Sequence, residues 1–87
     1  MTKVFHDRAW AELMNWAQGD RKTFKRILSL IRDIERDPFA GIGKPERLTG
    51  DLAGYWSRRI DDANRIVYRI KDGQLEIAQC GGHYGEK

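Results

Sequence analysis

The sequence predicts an α+β fold in which two N-terminal helices pack on one face of a small antiparallel sheet. Three observations carry this. Two stretches of helical apolar spacing occupy the first half of the chain. Three strand-like runs follow, the last two meeting at Asp72-Gly73. Helices grouped ahead of a meander of short strands segregate to one side of the sheet rather than alternating across it.

Taken in order, Val4-Phe5 reads as a short opening strand. Asp7 then offers an N-cap for a helix from about Arg8 to Ala17, with Trp10, Leu13, Met14 and Ala17 on one face. Gly19 stops it and Asp20 caps the next helix, and so short a connection implies an antiparallel hairpin. The second helix runs from about Arg21 to Arg36, with Phe24, Ile27, Leu28, Ile31 and Ile34 as its apolar stripe. Asp37-Pro38 ends it, because proline disfavours helix in the residue before it.

Gly41, Gly43, Pro38 and Pro45 mark the stretch up to Glu46 as an ordered loop, anchored by Leu48 and Leu52. A strand from Tyr55 to Ile60, a turn at Asp61–Asn64 and a strand from Arg65 to Lys71 come next. Asp72-Gly73 is a strong hairpin signal and leads into Gln74 to about Cys80. Ile66, Tyr68 and Ile70 mark the core side of the middle strand. The other side, expected to be open, carries Arg65, Val67 and Arg69, with Arg59 from the neighbouring strand. Guanidinium groups on a sheet face suit a phosphodiester.

With 87 residues and 40% hydrophobic content, the chain fits one domain, 1–87, with a compact core. Its net charge of +3 and pI of about 9.2 favour polyanionic partners, nucleic acid first among them. A lone cysteine, Cys80, excludes an internal disulfide and suits a reducing cytoplasm. The N-terminus lacks a signal-peptide run, and no apolar stretch is long enough to span a bilayer, so no membrane role is expected. One cysteine and two distant histidines, His6 and His83, do not make a zinc pattern. Gly41-Ile42-Gly43-Lys44 is not a P-loop, since Pro45 stands where a magnesium-binding hydroxyl is needed. Neither metal nor cofactor is expected.

RNA carries its own nucleophile, so a protein can cut it without metal. A base takes the 2′-hydroxyl proton, a cation stabilises charge on the phosphoryl oxygens, and an acid protonates the leaving 5′-oxygen. Glu46 on the loop, Arg65 at the start of the middle strand and His83 beyond the last strand could supply the three. His6 is assigned no role. Strict alternation from Leu75 and Ile77 would turn His83 toward the core, so the strand is expected to end or bulge at Gly81-Gly82.

The stretch Asp37-Pro38-Phe39-Ala40-Gly41-Ile42-Gly43-Lys44-Pro45-Glu46 resembles the loop after the second helix of YoeB-like toxins, of the RelE/ParE superfamily of bacterial toxin–antitoxin systems. Gly54-Tyr55-Trp56-Ser57-Arg58-Arg59-Ile60, Asn64-Arg65-Ile66-Val67-Tyr68 and Cys80 followed by His83-Tyr84 are similar to its later strands and C-terminal signature. The resemblance covers nearly the whole chain and implies a RelE-like, microbial-RNase-like fold. It also implies an endoribonuclease that cuts messenger RNA in the ribosomal A site. Glu46 then matches the general base, Arg65 the phosphate-stabilising cation, His83 the general acid and Tyr84 the aromatic that positions substrate. Arg59 and Lys44 match basic residues near the scissile phosphate or ribosomal RNA. A cognate antitoxin, the ribosome with its messenger RNA, and a homodimer are the implied partners. Gly81-Gly82 stand where bulkier residues usually precede the histidine, and Gly85-Glu86-Lys87 extend past the usual end. Two other readings stand beside this one: a non-catalytic module binding RNA or an antitoxin, and a gyrase-poisoning ParE-like toxin, against which Glu46 with His83-Tyr84 argues.

Overall fold

The structure, a computed structural model, describes residues 1–82. Along the chain lie β1 (Lys3–Phe5), α1 (Asp7–Gly19), α2 (Arg21–Arg36), β2 (Glu46–Arg47), a 3₁₀ turn (Gly50–Leu52), β3 (Trp56–Arg59), β4 (Arg65–Lys71) and β5 (Gln74–Cys80). The five strands form one sheet in the order β1-β5-β4-β3-β2. The sheet is mixed rather than purely antiparallel, because β1 runs parallel to β5 with Phe5 opposite Ile77. Both helices and β2 to β4 lie between them in the chain, so the long connection a parallel pair requires is met.

Helix α1 begins one residue earlier than expected. His6 is the N-cap and makes no capping bond with its side chain, while Asp7 is the first helical residue. An acid there still faces the positive end of the helix dipole. Asp20 alone joins the helices, and its carboxylate accepts from the Thr23 backbone N–H at 3.0 Å. The buried face of α2 is Ile27, Leu30, Ile31 and Ile34. Leu30, absent from the expected stripe, lies three residues after Ile27 and so shares its face, whereas Leu28 and Phe24 are half-buried. On α1, Ala9 and Leu13 are buried, and Trp10 is 52% exposed, its ring meeting only that of Phe5 among the described aromatic rings. Trp16 packs on the core in its place, donating its indole N–H to the Cys80 carbonyl at 2.8 Å.

Both helices cover the sheet face bearing Ile66, Tyr68, Leu75, Ile77 and Cys80. Burial pushes the Cys80 thiol up to about 12, so it is an inert apolar filler. Strand β5 does bulge, but at Ala78, ahead of the glycines: Tyr68 pairs with Ile77 while Val67 pairs with Gln79. The extra residue reverses the alternation, turning Cys80 to the core and Gln79 to the opposite face.

Arg58 is the feature that composition hides. It is fully buried on the helix side of β3, opposite Ile66. Its guanidinium donates to the Asp33 carboxylate of α2, to the carbonyls of Asp37 (2.6 Å), Ala40 (3.2 Å) and Ile42 (3.1 Å), and through Nε to the Tyr68 hydroxyl (3.2 Å). One side chain thus ties down the loop between α2 and β2. The loop needs glycine to close on it: Gly41 has φ +137°, and a β-carbon there would collide with the Asp33 carboxylate. Gly43 lies 2.8 Å, as a built β-carbon, from the Leu30 side chain.

Two carboxylates are held well below their ordinary range. Asp33 falls to about 2 through Arg58 first and the Ile42 N–H second. Glu76 falls to about 2 through Arg69 first, then His6 and the Tyr55 hydroxyl. A depressed folded-state pKa adds stability above the unfolded value and loses it in acid. The melting temperature is therefore expected to hold down to about pH 4.5 and fall steadily toward about pH 2. Thermal unfolding followed by circular dichroism across that range checks it; a flat profile would show that neither pair contributes.

Candidate active site

The face of the sheet away from the helices is built by register. Glu46 pairs with Ser57, Ser57 with Val67 and Val67 with Gln79, so these four side chains form one row across the sheet. Ser57, Val67 and Gln79 are buried, so the middle of this face is a packed floor rather than the open surface that was expected. Glu46 stands at the exposed edge of that row, on the short strand β2 instead of in a loop.

One row on, Arg59 pairs directly with Arg65. Two residues of strand separate the rows, about 7 Å. Like charges directly opposite one another repel across a sheet. Neither guanidinium is paired with a carboxylate among the described residues. The Asp61 carboxylate, a natural partner for Arg65, is instead engaged by the N–H groups of Ala63 (2.9 Å) and Asn64 (2.8 Å) and by the Asn64 amide. Among the described residues Arg65 reaches only carbonyls, that of Asp61 at 3.1 Å and that of Asn64 at 3.4 Å. Such bonds orient the guanidinium and leave its charge uncompensated, the condition for receiving an anion.

Lys44 joins this edge through the backbone. The Arg59 N–H donates to the Gly43 carbonyl at 2.7 Å, holding the next residue beside Arg59. Lys44 is exposed, with φ +52°. Arg26 of α2, to which no sequence motif assigns a part, donates to the Arg59 carbonyl at 3.4 Å from the helix side of the sheet. The structure therefore brings Glu46, Arg59, Arg65 and Lys44 to one edge of the sheet, while His83 and Tyr84 lie outside the described residues.

Farther along the same face His6, assigned no role, has a partner. Its Nε2 lies 2.6 Å from the Glu76 carboxylate, which also accepts from Arg69 at 3.0 Å and from the Tyr55 hydroxyl at 3.2 Å. Arg69 lies over the Tyr55 ring. This cluster is internally neutralised, so Arg69 does not extend the cationic edge. Among the described residues no three His, Cys, Asp or Glu side chains converge so as to hold a metal ion, and no helix is long and apolar enough to cross a membrane.

Residues 5–84 match the family described as YoeB-like toxin of bacterial type II toxin-antitoxin system. This chain belongs to that family. Toxin YoeB of Streptomyces coelicolor is 56% identical over 84 residues, covering 97% of this chain and 100% of that one. Toxin YoeB of Escherichia coli is 42% identical over the same coverage. A YoeB/ParE toxin from Agrobacterium tumefaciens superposes with a TM-score of 0.94 at 45% identity, over 97% of this chain and 100% of that chain. The YoeB of a heterotetrameric YoeB-YefM toxin-antitoxin complex from Staphylococcus aureus superposes with a TM-score of 0.89 at 39% identity, over 97% and 98%. Escherichia coli YafQ, at 14% identity and a TM-score of 0.71, shares the fold alone. The protein is a toxin of a type II toxin–antitoxin system, with the RelE-like fold that the resemblance implied.

Proposed function

We propose that this toxin is a metal-independent endoribonuclease that cuts messenger RNA in the ribosomal A site and so stops translation. The observation that carries the reading is the facing pair Arg59 and Arg65, unneutralised by any carboxylate among the described residues, with Glu46 one row away on the same sheet face. A phosphodiester seated between the two arginines relieves their repulsion and places its ribose toward Glu46.

In the proposed reaction Glu46 takes the proton of the 2′-hydroxyl, and the 2′-oxygen bonds to phosphorus. Arg65 stabilises the charge that grows on the phosphoryl oxygens. The bond from phosphorus to the 5′-oxygen breaks, and His83 protonates that oxygen. The products are a 2′,3′-cyclic phosphate and a free 5′-hydroxyl. Tyr84 stacks on a base, Arg59 and Lys44 hold flanking phosphates, and no step requires a cofactor.

The partners follow from the same charges. An antitoxin with an acidic segment covers the cationic edge, as the complex of the Staphylococcus aureus relative with YefM makes reasonable. A homodimer is proposed on the example of the Staphylococcus aureus YoeB dimer. The cytoplasm, where ribosomes are, is the proposed location.

The test is cleavage of a messenger RNA positioned on purified ribosomes, wild type against His83→Ala. Cleavage that needs the ribosome, leaves a 2′,3′-cyclic phosphate and vanishes in the variant is the expected result. Ribosome binding without cleavage by the wild type would favour a binding module, and a 3′-hydroxyl and 5′-phosphate at the cut, with no cyclic phosphate, would overturn the proposed metal-free chemistry.

A further inference from the structure

The sheet face that carries Glu46, Arg59 and Arg65 continues into a third row. Arg69 of β4 pairs with Glu76 of β5. Tyr55 precedes Trp56, whose partner on β4 is Tyr68, so Tyr55 stands beside Arg69. The Glu76 carboxylate clamps Arg69 at two points, one oxygen accepting from Nε at 3.0 Å and the other from Nη2 at 3.3 Å. Paired bonds of this kind fix the plane of a guanidinium as well as its place. Behind it lies the Tyr55 ring, its centroid 4.7 Å from the guanidinium carbon. Glu76 is itself held by the Tyr55 hydroxyl at 3.2 Å and by His6 Nε2 at 2.6 Å, so the clamp is anchored from both sides.

What this row offers a ligand differs from what Arg59 and Arg65 offer. Glu76 cancels the Arg69 charge, so the row is a poor seat for a phosphate. What remains is a planar group, immobilised by its clamp and with 30% of its side chain exposed. Guanidinium planes and tyrosine rings are surfaces on which nucleobases stack. A side chain already held in place loses little further freedom when a base settles on it.

The position of the row decides which base it meets. Arg69 lies along β4 from Arg65 by roughly 14 Å, with the row of Glu46 between them. In the proposed reaction Glu46 takes its proton from the ribose on the 5′ side of the scissile phosphate. Glu46 lies on the Arg69 side of Arg65, so the 5′ portion of the substrate runs toward Arg69.

We propose that Arg69, backed by Tyr55 and clamped by Glu76, is a stacking platform for a nucleobase on the 5′ side of the cut. The toxin then grips phosphate at Arg59 and Arg65 and a base at Arg69. This rests on the endoribonuclease reading with Glu46 as base. Every base has a stacking face, so the platform contributes grip and register rather than a choice of codon.

The experiment uses the full toxin on programmed ribosomes, with messenger RNAs in which one nucleotide at a time near the cut lacks its base. Each enzyme is scored by the ratio of its single-turnover rates on intact and abasic RNA at subsaturating toxin. For the wild type, losing a base at one 5′-side position is expected to slow cleavage on the order of tenfold. Arg69→Lys keeps the charge beside Glu76 and has no plane, so it is expected to cut that abasic RNA within roughly twofold of intact RNA. Tyr55→Leu, which keeps the ion pair and removes the ring behind it, is expected to shrink the ratio as well. The ratio is taken within one enzyme, so a partly unfolded preparation does not alter it. Ratios as large as the wild type's in either variant, or a difference confined to 3′-side positions, would overturn the platform while leaving the endoribonuclease reading standing. No cleavage of intact RNA by the wild type would overturn that reading, and the platform with it.

Discussion

Replacing Arg65 by alanine is expected to slow messenger RNA cleavage about 10²–10³-fold and to weaken substrate binding as well. The side chain does both jobs because its charge is uncompensated: the Asp61 carboxylate is engaged by backbone N–H groups, and Arg65 is oriented by carbonyls. Removing it also ends the repulsion with Arg59, so the folded state gains rather than loses from the change. Glu46→Gln is expected to behave differently. It keeps the shape of the side chain and both arginines, and removes only the base, so the rate falls roughly 10²–10⁴-fold while ribosome binding is retained. Single-turnover cleavage paired with ribosome co-sedimentation separates the two. Wild-type cleavage by Glu46→Gln would remove the carboxylate from the mechanism, and equal loss of binding in both variants would favour a module that only holds RNA.

The elements with regular periodicity were legible. Helix α2 runs from Arg21 to Arg36 as the spacing implied, and β4 and β5 meet where Asp72 and Gly73, at φ +53° and +74°, adopt the two positive angles of a tight hairpin turn. What escaped was decided by contacts distant in sequence. Val4-Phe5 contains nothing that distinguishes parallel from antiparallel pairing, and two residues at Glu46-Arg47 are too few to show alternation. Trp10 and Trp16 both belong to one amphipathic helix; only the position of the Cys80 carbonyl selects Trp16. The bulge at Ala78 gives no sign in the apolar run around it. Of the candidate site, Glu46, Arg59, Arg65 and Lys44 come together because their pairing partners lie on adjacent strands, which the order of elements already implied. Arg26 was missed because its contact runs through a backbone carbonyl rather than through any motif.

Arg58 and Arg59 are the sharpest case: adjacent residues of the same chemistry, with opposite fates. Alternation along β3 places Arg58 beside Ile66 and Arg59 beside Arg65, and Asp33 makes the first position habitable for a charge. Arg58→Met, of similar length and no charge, is expected to destabilise the fold by about 3–5 kcal/mol, because it takes the buried cation from the Asp33 carboxylate and a donor from three carbonyls and a tyrosine hydroxyl. For a chain of this size that corresponds to a fall in melting temperature of roughly 12–40 °C. The loop from Asp37 to Pro45 should become the first site of proteolysis, well before global unfolding, and cleavage activity should fall with it since Lys44 and Glu46 lie at its end. The acid profile provides an independent check. Without Arg58, Asp33 loses the largest cause of its depressed pKa and keeps only the Ile42 N–H and Arg36, so the decline in stability between about pH 4 and about pH 2 becomes shallower and rests more on Glu76. Arg59→Met, one residue away, is expected to leave that profile unchanged and, by ending the repulsion with Arg65, to cost no stability. Equal destabilisation by the two substitutions would mean that the loop is held by its own turns and not by the buried guanidinium.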